Sequence, residues 1–395
     1  MAIMDKQTHD RGSSGMGKER SRQRHAFILL FLSTVAVCRG QGDLVFENVY
    51  EAALDLPRVL FAVQRGPRGP LLMPKTGFAV HYAFLDTGAS GILMSRETAT
   101  QLGMTIDRRA RFVDVGVGGA EHFGVSEPLY LGLANIHTEN PQDPRAYRMV
   151  GRARFQIKAT QAGLLSPAVD IIGMPALKGR VVVLDTAATN RLGYCAATVL
   201  PPGAPGIPAV HLTVGLRFQW FSNPRNPENI PPLPVLASNP VIDNIVLQHH
   251  GKNSRATWLL DTGGTISLIS TQQAKRLGIL NRQGKPVIKP AFSLPVAGVG
   301  QPTTIPGYQF ERLIIPLRNG RRLIFKNARL GVHDIHYTDG KTQTRRTLDG
   351  VFGINFLCAS AKMVGLLPGD ISETPFDKVV IDMPRAQLGL RLRAR

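Results

Sequence analysis

Two aspartates stand in matched frames. Residues 82–90 read Tyr-Ala-Phe-Leu-Asp-Thr-Gly-Ala-Ser, and residues 257–265 read Thr-Trp-Leu-Leu-Asp-Thr-Gly-Gly-Thr. Ser95 and Ser270 each follow their aspartate by nine residues, and Gly103 and Gly278 by seventeen. One Asp-Thr-Gly triplet means little, but two in the same frame read as an internal duplication. The chemistry is that of paired carboxyls. An apolar strand delivers Asp86, or Asp261, onto a tight turn. Gly88 and Gly263 let the backbone turn sharply and pass close to its twin. The hydroxyls of Thr87 and Thr262 are placed to bond across the gap. Two carboxylates about 3 Å apart cannot both ionise and so share one proton. Such a dyad polarises a water with one member and protonates a carbonyl with the other. That is general acid–base hydrolysis of an amide with no covalent intermediate.

The elements that must position the pair recur as well. Ser95 and Ser270 are good N-caps and Gly103 and Gly278 good stops, so each pair brackets a two-turn helix. Next come strands running into glycine-rich tips, Phe112 to Gly118 and Gly119, and Phe292 to Gly300. They read as flaps that close over a substrate. Apolar pairs then precede Gly173 and Gly353. After them come strands at Arg180–Asp185 and Lys378–Asp382, and closing segments at 191–194 and 387–390. Residues 44–63 read as strand, loop, strand. Residues 241–260 read as a hairpin leading to Asp261.

On these residues the chain resembles the aspartic peptidases, with Asp86 and Asp261 in the place of the two catalytic aspartates. The Asp86–Ser90 version, with its helix ending at Leu102 and Gly103, is most similar to the retropepsin-like branch, which assembles its dyad from two chains. Carrying both halves in one chain is similar to the pepsin-like branch. The resemblance spans roughly residues 45–395. It implies an all-β, bilobal, double-lobed β-barrel architecture with a short helix after each Asp-Thr-Gly turn. The N-terminal lobe would be 41–200, a proline-rich linker 201–208 and the C-terminal lobe 209–395, with the cleft at their junction. It implies an aspartic-type endopeptidase that activates a water between Asp86 and Asp261. Thr87, Gly88, Thr262 and Gly263 would support the dyad, and Gly118, Gly119 and Gly300 would meet substrate on the flaps. The partner is a polypeptide in the cleft, with no cofactor and no metal. The alternatives are a weak or inactive peptide- or glycan-binding protein on the same scaffold and a basic envelope-associated structural protein. Pepsin-like members carry a flap tyrosine; here the rings nearest Gly118 are His122 and Phe123. They also often carry Ser or Thr three residues after each aspartate, where this chain has Ala89 and Gly264. Fewer bonds to the charged form leave the dyad pKa values higher and predict a mildly acidic optimum.

Composition sets outer bounds. The chain has 395 residues, 43% of them hydrophobic, enough for two domains with cores. The net charge of +19 raises nucleic acid or an anionic surface as partners. The arginines are scattered in short groups such as Arg108–Arg109 and Arg345–Arg346, without interleaved aromatics, which argues against a specific nucleic-acid site. Residues 1–40 read as an export leader: a basic start, then a twelve-residue apolar core at 26–37, too short to span a bilayer. Cleavage before Gln41 would yield a secreted or cell-envelope protein with no transmembrane span, expected to be a monomer. Of three cysteines, Cys38 lies in the leader, while Cys195 and Cys358 are left either as one bridge or as two buried thiols. His333–Asp334–Ile335–His336 lacks a third metal ligand at sensible spacing. His249 and His250 flank a turn at Gly251 and are expected at the surface.

Overall fold

The computed structural model describes residues 42–395 except 48, 75–79, 117, 160–168, 193, 222–235, 297–302, 340–341, 343, 366 and 395. The leader, Gly300 and most of the proline-rich stretch before Pro240 lie outside the described residues. Residues 43–395 form one compact unit.

The all-β expectation holds, and each half is built on the same strand arrangement. His81–Leu85, which ends at Asp86, lies antiparallel to Pro57–Gln64 and parallel to Ile171–Ile172. Ile171–Ile172 then meets Leu93–Met94 antiparallel, and Leu93–Met94 runs parallel to Gln156–Lys158. In the second half Lys252–Asp261 lies antiparallel to Asn239–His249 and parallel to Gly350–Gly353. Gly350–Gly353 meets Leu268–Ile269 antiparallel, and Leu268–Ile269 runs parallel to Arg322–Val332. The short strands Leu93–Met94 and Leu268–Ile269 are wholly buried, and their continuous apolar runs suit strands covered on both faces.

A helix follows each turn, Arg96–Gln101 and Thr271–Arg276. The Ser95 hydroxyl accepts from the Thr98 N–H and the Ser270 hydroxyl from the Gln273 N–H, so both helices start where an N-cap is available. They end at Gly103 and Gly278, whose φ values of +59° and +77° favour glycine.

The two halves share a sheet. Val181–Asp185 pairs antiparallel with Phe376–Asp382, and Leu212–Gly215 with Gln387–Leu392. The turns at 201–208 lie on this sheet, with Ala204 and Ile207 packed on Val181, Val183, Leu200 and Val380. The first strand crosses between halves: Leu44–Phe46 runs parallel to Leu323–Phe325, and Ala52–Ala53 pairs with Ser360–Ala361. Three ion pairs fasten it, Asp43–Arg322, Glu47–Lys326 and the buried Glu51 with Arg329. Leu44–Phe46 and Ala52–Ala53 thus bond to the C-terminal half although they fall within the 41–200 range expected for the N-terminal lobe.

Cys195 and Cys358 are buried free thiols with sulfurs 3.6 Å apart. The neighbouring Cys195 sulfur, and then burial, push the Cys358 thiol well up. Both sulfurs are shut away from reagent, so both resist alkylation in the folded protein and react on unfolding. Mass-spectrometric counting of iodoacetamide adducts checks this; rapid native labelling of either would contradict it. His249 corrects the expectation for the histidine pair. It is buried, its ring 4.2 Å from His250 and 5.6 Å from Phe310, and burial pulls its pKa down. The hairpin that turns at His250 and Gly251 folds this ring inward, against Phe310 on the neighbouring strand Thr303–Pro316.

Candidate active site

The two Asp-Thr-Gly turns meet face to face. The Thr87 N–H donates to the Thr262 hydroxyl at 3.0 Å, and the Thr262 N–H donates to the Thr87 hydroxyl at 3.1 Å. Each hydroxyl then donates to the far strand, Thr87 Oγ1 to the Leu260 carbonyl and Thr262 Oγ1 to the Leu85 carbonyl, both at 2.7 Å. Both threonines are fully buried. Four reciprocal bonds therefore fix the relative position of the turns. Buried hydroxyls in such a network hold geometry, because every partner lost leaves a group unsatisfied.

The glycines allow the approach. A Cβ on Gly88 would sit 2.6 Å from the Asp261 carboxyl carbon, and one on Gly263 would sit 2.3 Å from that of Asp86. Each turn's glycine thus faces the other turn's carboxyl. The two carboxyls therefore lie across one close junction, near enough for each to act on the other's titration.

Their surroundings are unequal. Asp86 Oδ1 accepts from the Gly88 N–H at 2.7 Å and the Ala89 N–H at 3.0 Å. Asp261 Oδ1 accepts from the Gly263 N–H at 2.9 Å. Burial raises the Asp86 pKa, against the pull of the neighbouring Asp261 and of backbone N–H groups. Burial and then the Asp86 charge raise Asp261 well above the ordinary carboxylate range. The arrangement favours a proton on Asp261 and a charge on Asp86, with the titration belonging to the pair.

Further side chains hold the turns from behind. In the second half, Ser267 Oγ accepts from the Gly353 N–H at 2.8 Å and donates to Asn355 Oδ1 at 2.7 Å. In the first half, Ser90 Oγ donates to Asn239 Oδ1 at 2.7 Å, and the Asn239 amide donates to the Thr87 and Gly88 carbonyls. Ser90 closes the Asp86–Ser90 motif, but nothing in the sequence singles out Asn239, Ser267 or Asn355. Asp170 takes the Ser95 N–H and the Thr98 hydroxyl, joining the first helix to the strand behind the turn.

Gly119 opens the strand Gly119–Ser126, its φ is +105°, and a Cβ there would meet open space. Gly118 precedes it at the tip of the same hairpin, whose first strand is Ile106–Gly116. Beside the second turn lies an apolar hollow of about 270 Å³, walled by Ala52, Thr265, Leu294, Val296 and Met363. Among the described residues no group of three or more His, Cys, Asp or Glu could hold a metal. Asp334 instead receives the Thr271 N–H and hydroxyl, and His336 bonds Thr347. Among the described residues no helix is long and apolar enough to cross a membrane.

No protein-family profile matches the chain, and no curated protein matches it. Solved structures show a distant likeness. One is an aspartic proteinase from Irpex lacteus, 11% identical with a TM-score of 0.42, over 86% of this chain and 97% of the other. Another is Basic 7S globulin from soybean, 12% identical with a TM-score of 0.42, over 85% of this chain and 96% of the other. At these values the likeness carries no argument, and the all-β architecture of two similarly built halves stands on the chain's own paired strands.

Proposed function

We propose that this protein is an exported aspartic-type endopeptidase with Asp86 and Asp261 as its catalytic residues. The observation that carries the proposal is the junction of two duplicated turns, clamped by Thr87 and Thr262, in which each turn's glycine lies against the other turn's carboxyl. A substrate polypeptide lies extended between the halves, covered by the Gly118–Gly119 hairpin. The Asp86 carboxylate takes a proton from a water as its oxygen attacks the scissile carbonyl carbon. Asp261 gives its proton to the carbonyl oxygen. The proton held by Asp86 then passes to the amide nitrogen as the C–N bond breaks, and Asp261 recovers its proton from the tetrahedral intermediate's hydroxyl, releasing a carboxylic acid and an amine. The clamp supplies orientation: reacting groups held within about 3–3.5 Å need no further ordering.

The test is incubation of the protein, from Gln41 onward, with denatured mixed proteins between pH 3 and 7. New peptide termini read by mass spectrometry are the expected result. A folded protein that yields none overturns the proposal in favour of a peptide-binding role for the same cleft.

A further inference from the structure

Asn239 is fully buried and begins the strand Asn239–His249, which pairs with the strand carrying Asp261. Its side chain leaves that half and reaches the Asp86 turn. Nδ2 donates to the Thr87 carbonyl and to the Gly88 carbonyl, each at 2.9 Å, and Oδ1 accepts from Ser90 Oγ at 2.7 Å. The adjoining backbone helps, since the Ala237 N–H donates to the Ser90 carbonyl at 2.8 Å. The orientation of the amide is dictated, because two carbonyls can only accept and so must face its NH₂.

The carbonyls it holds are particular ones. The Thr87 carbonyl and the Gly88 N–H belong to one peptide unit; the Gly88 carbonyl and the Ala89 N–H belong to the next. Those two N–H groups are the donors to Asp86 Oδ1. Asn239 therefore grips the oxygen end of both peptide units whose hydrogen ends hold the carboxylate. A hydrogen bond at a peptide oxygen polarises the unit and strengthens its N–H as a donor. The second turn is held differently: Asn355 bonds Ser267 and the Tyr50 and Glu51 carbonyls.

We infer that Asn239 is a positioning residue which, through the Thr87–Gly88 and Gly88–Ala89 peptide units, makes Asp86 the charged member of the dyad. The inference rests on the dyad reading above. Asp261 is the titratable group that faces Asp86. Asp170, just before the strand Ile171–Ile172, is turned to Ser95 and Thr98. Asp243, on the strand of Asn239, is held by Arg217 and Thr257.

The test is Asn239→Ala, with Ser90→Ala as a milder variant that keeps both donors and releases only their orientation. Weaker donors raise the pKa of the charged carboxyl, so the acid limb of the kcat/KM profile moves up by about 0.5–1 pH unit. kcat falls about tenfold with KM unchanged, because a buried residue behind the turn does not touch substrate. A purely structural role would lower the melting temperature and leave the limb in place. Titration of ¹³C-labelled aspartate carboxyls by NMR, assigned with Asp86→Asn and Asp261→Asn, reads the dyad without turnover. A shifted titration in a protein that cleaves nothing sustains the role of Asn239 and sinks the peptidase. An unshifted titration in folded Asn239→Ala, or in Ser90→Ala if the former does not fold, overturns the inference.

Discussion

Asp86→Asn and Asp261→Asn each lower peptide-bond cleavage by about 10²–10⁴-fold, the usual worth of a positioned acid or base. Each change is nearly isosteric. An amide oxygen at 86 still accepts from the Gly88 and Ala89 N–H groups, so the turn survives, but it can neither take the proton of a water nor return one. The two losses are equal in kind because the proton is shared: either carboxyl alone is an incomplete acid–base pair. Stability moves the other way. The folded pKa of Asp261 is raised, so its contribution is fully present below the unfolded carboxyl pKa and is lost as pH rises through the folded value. A side-chain amide does not titrate, so Asp261→Asn gains on the wild type from mildly acid to neutral pH. Melting curves at pH 4 and 7 check this, with the gap widening at pH 7. Wild-type rates in either variant would dismantle the dyad.

Gly173→Ala gives the largest loss of stability. A Cβ there would lie 1.9 Å from the Gly91 carbonyl oxygen and 2.6 Å from that of Ala89. At Gly353 it would lie 2.7 Å from the Gly264 and Ile266 carbonyl oxygens. The obstacles are backbone atoms of the segments that follow the two Asp-Thr-Gly turns, which cannot swing aside as a flexible side chain can. The loops are also bonded to these segments, Met174 N–H to the Ala89 carbonyl at 3.0 Å and Ile354 N–H to the Gly264 carbonyl at 2.9 Å. Neither glycine has a positive φ, at −99° and −77°, so the requirement is room and not an unusual backbone. Overpacking of this kind costs about 3 kcal/mol or more at Gly173, and somewhat less at Gly353. Gly66→Ala, with only a distant backbone contact at 3.9 Å, is the near-neutral comparison. Denaturant midpoints measure all three, and a Gly173→Ala midpoint at the wild-type value would refute the packing argument.

What the sequence makes legible is local or repeated. Asp-Thr-Gly in two frames, Ser95 and Ser270 as caps, and Gly173 and Gly353 after apolar pairs all depend on short spacings that a duplicated pattern repeats. What it hides is carried by long-range bonds with no motif. Asn239 lies 149 residues from Ser90, its hydrogen-bond partner. Symmetry would direct the search elsewhere: the second turn is served by Asn355, two residues after Gly353, but Pro175 occupies that place after Gly173. A proline side chain offers no amide, and a residue of the other half supplies one. The crossing of Leu44–Phe46 onto Leu323–Phe325 is equally silent, since its apolar residues suit either half. His249 read as exposed because it borders a turn, yet its strand position carries it inward onto Phe310.

The pH profile of kcat/KM for the wild-type protein, on a peptide found by the cleavage screen, tests the shared dyad most directly. A shared dyad gives a bell with its maximum in the mildly acid range. Its acid limb reports protonation of the charged carboxyl, and its alkaline limb reports loss of the single shared proton. Burial raises both members and so places the window above that of two ordinary carboxyls. A maximum below about pH 3, or a profile with one limb only, would contradict a pair of buried carboxyls sharing one proton.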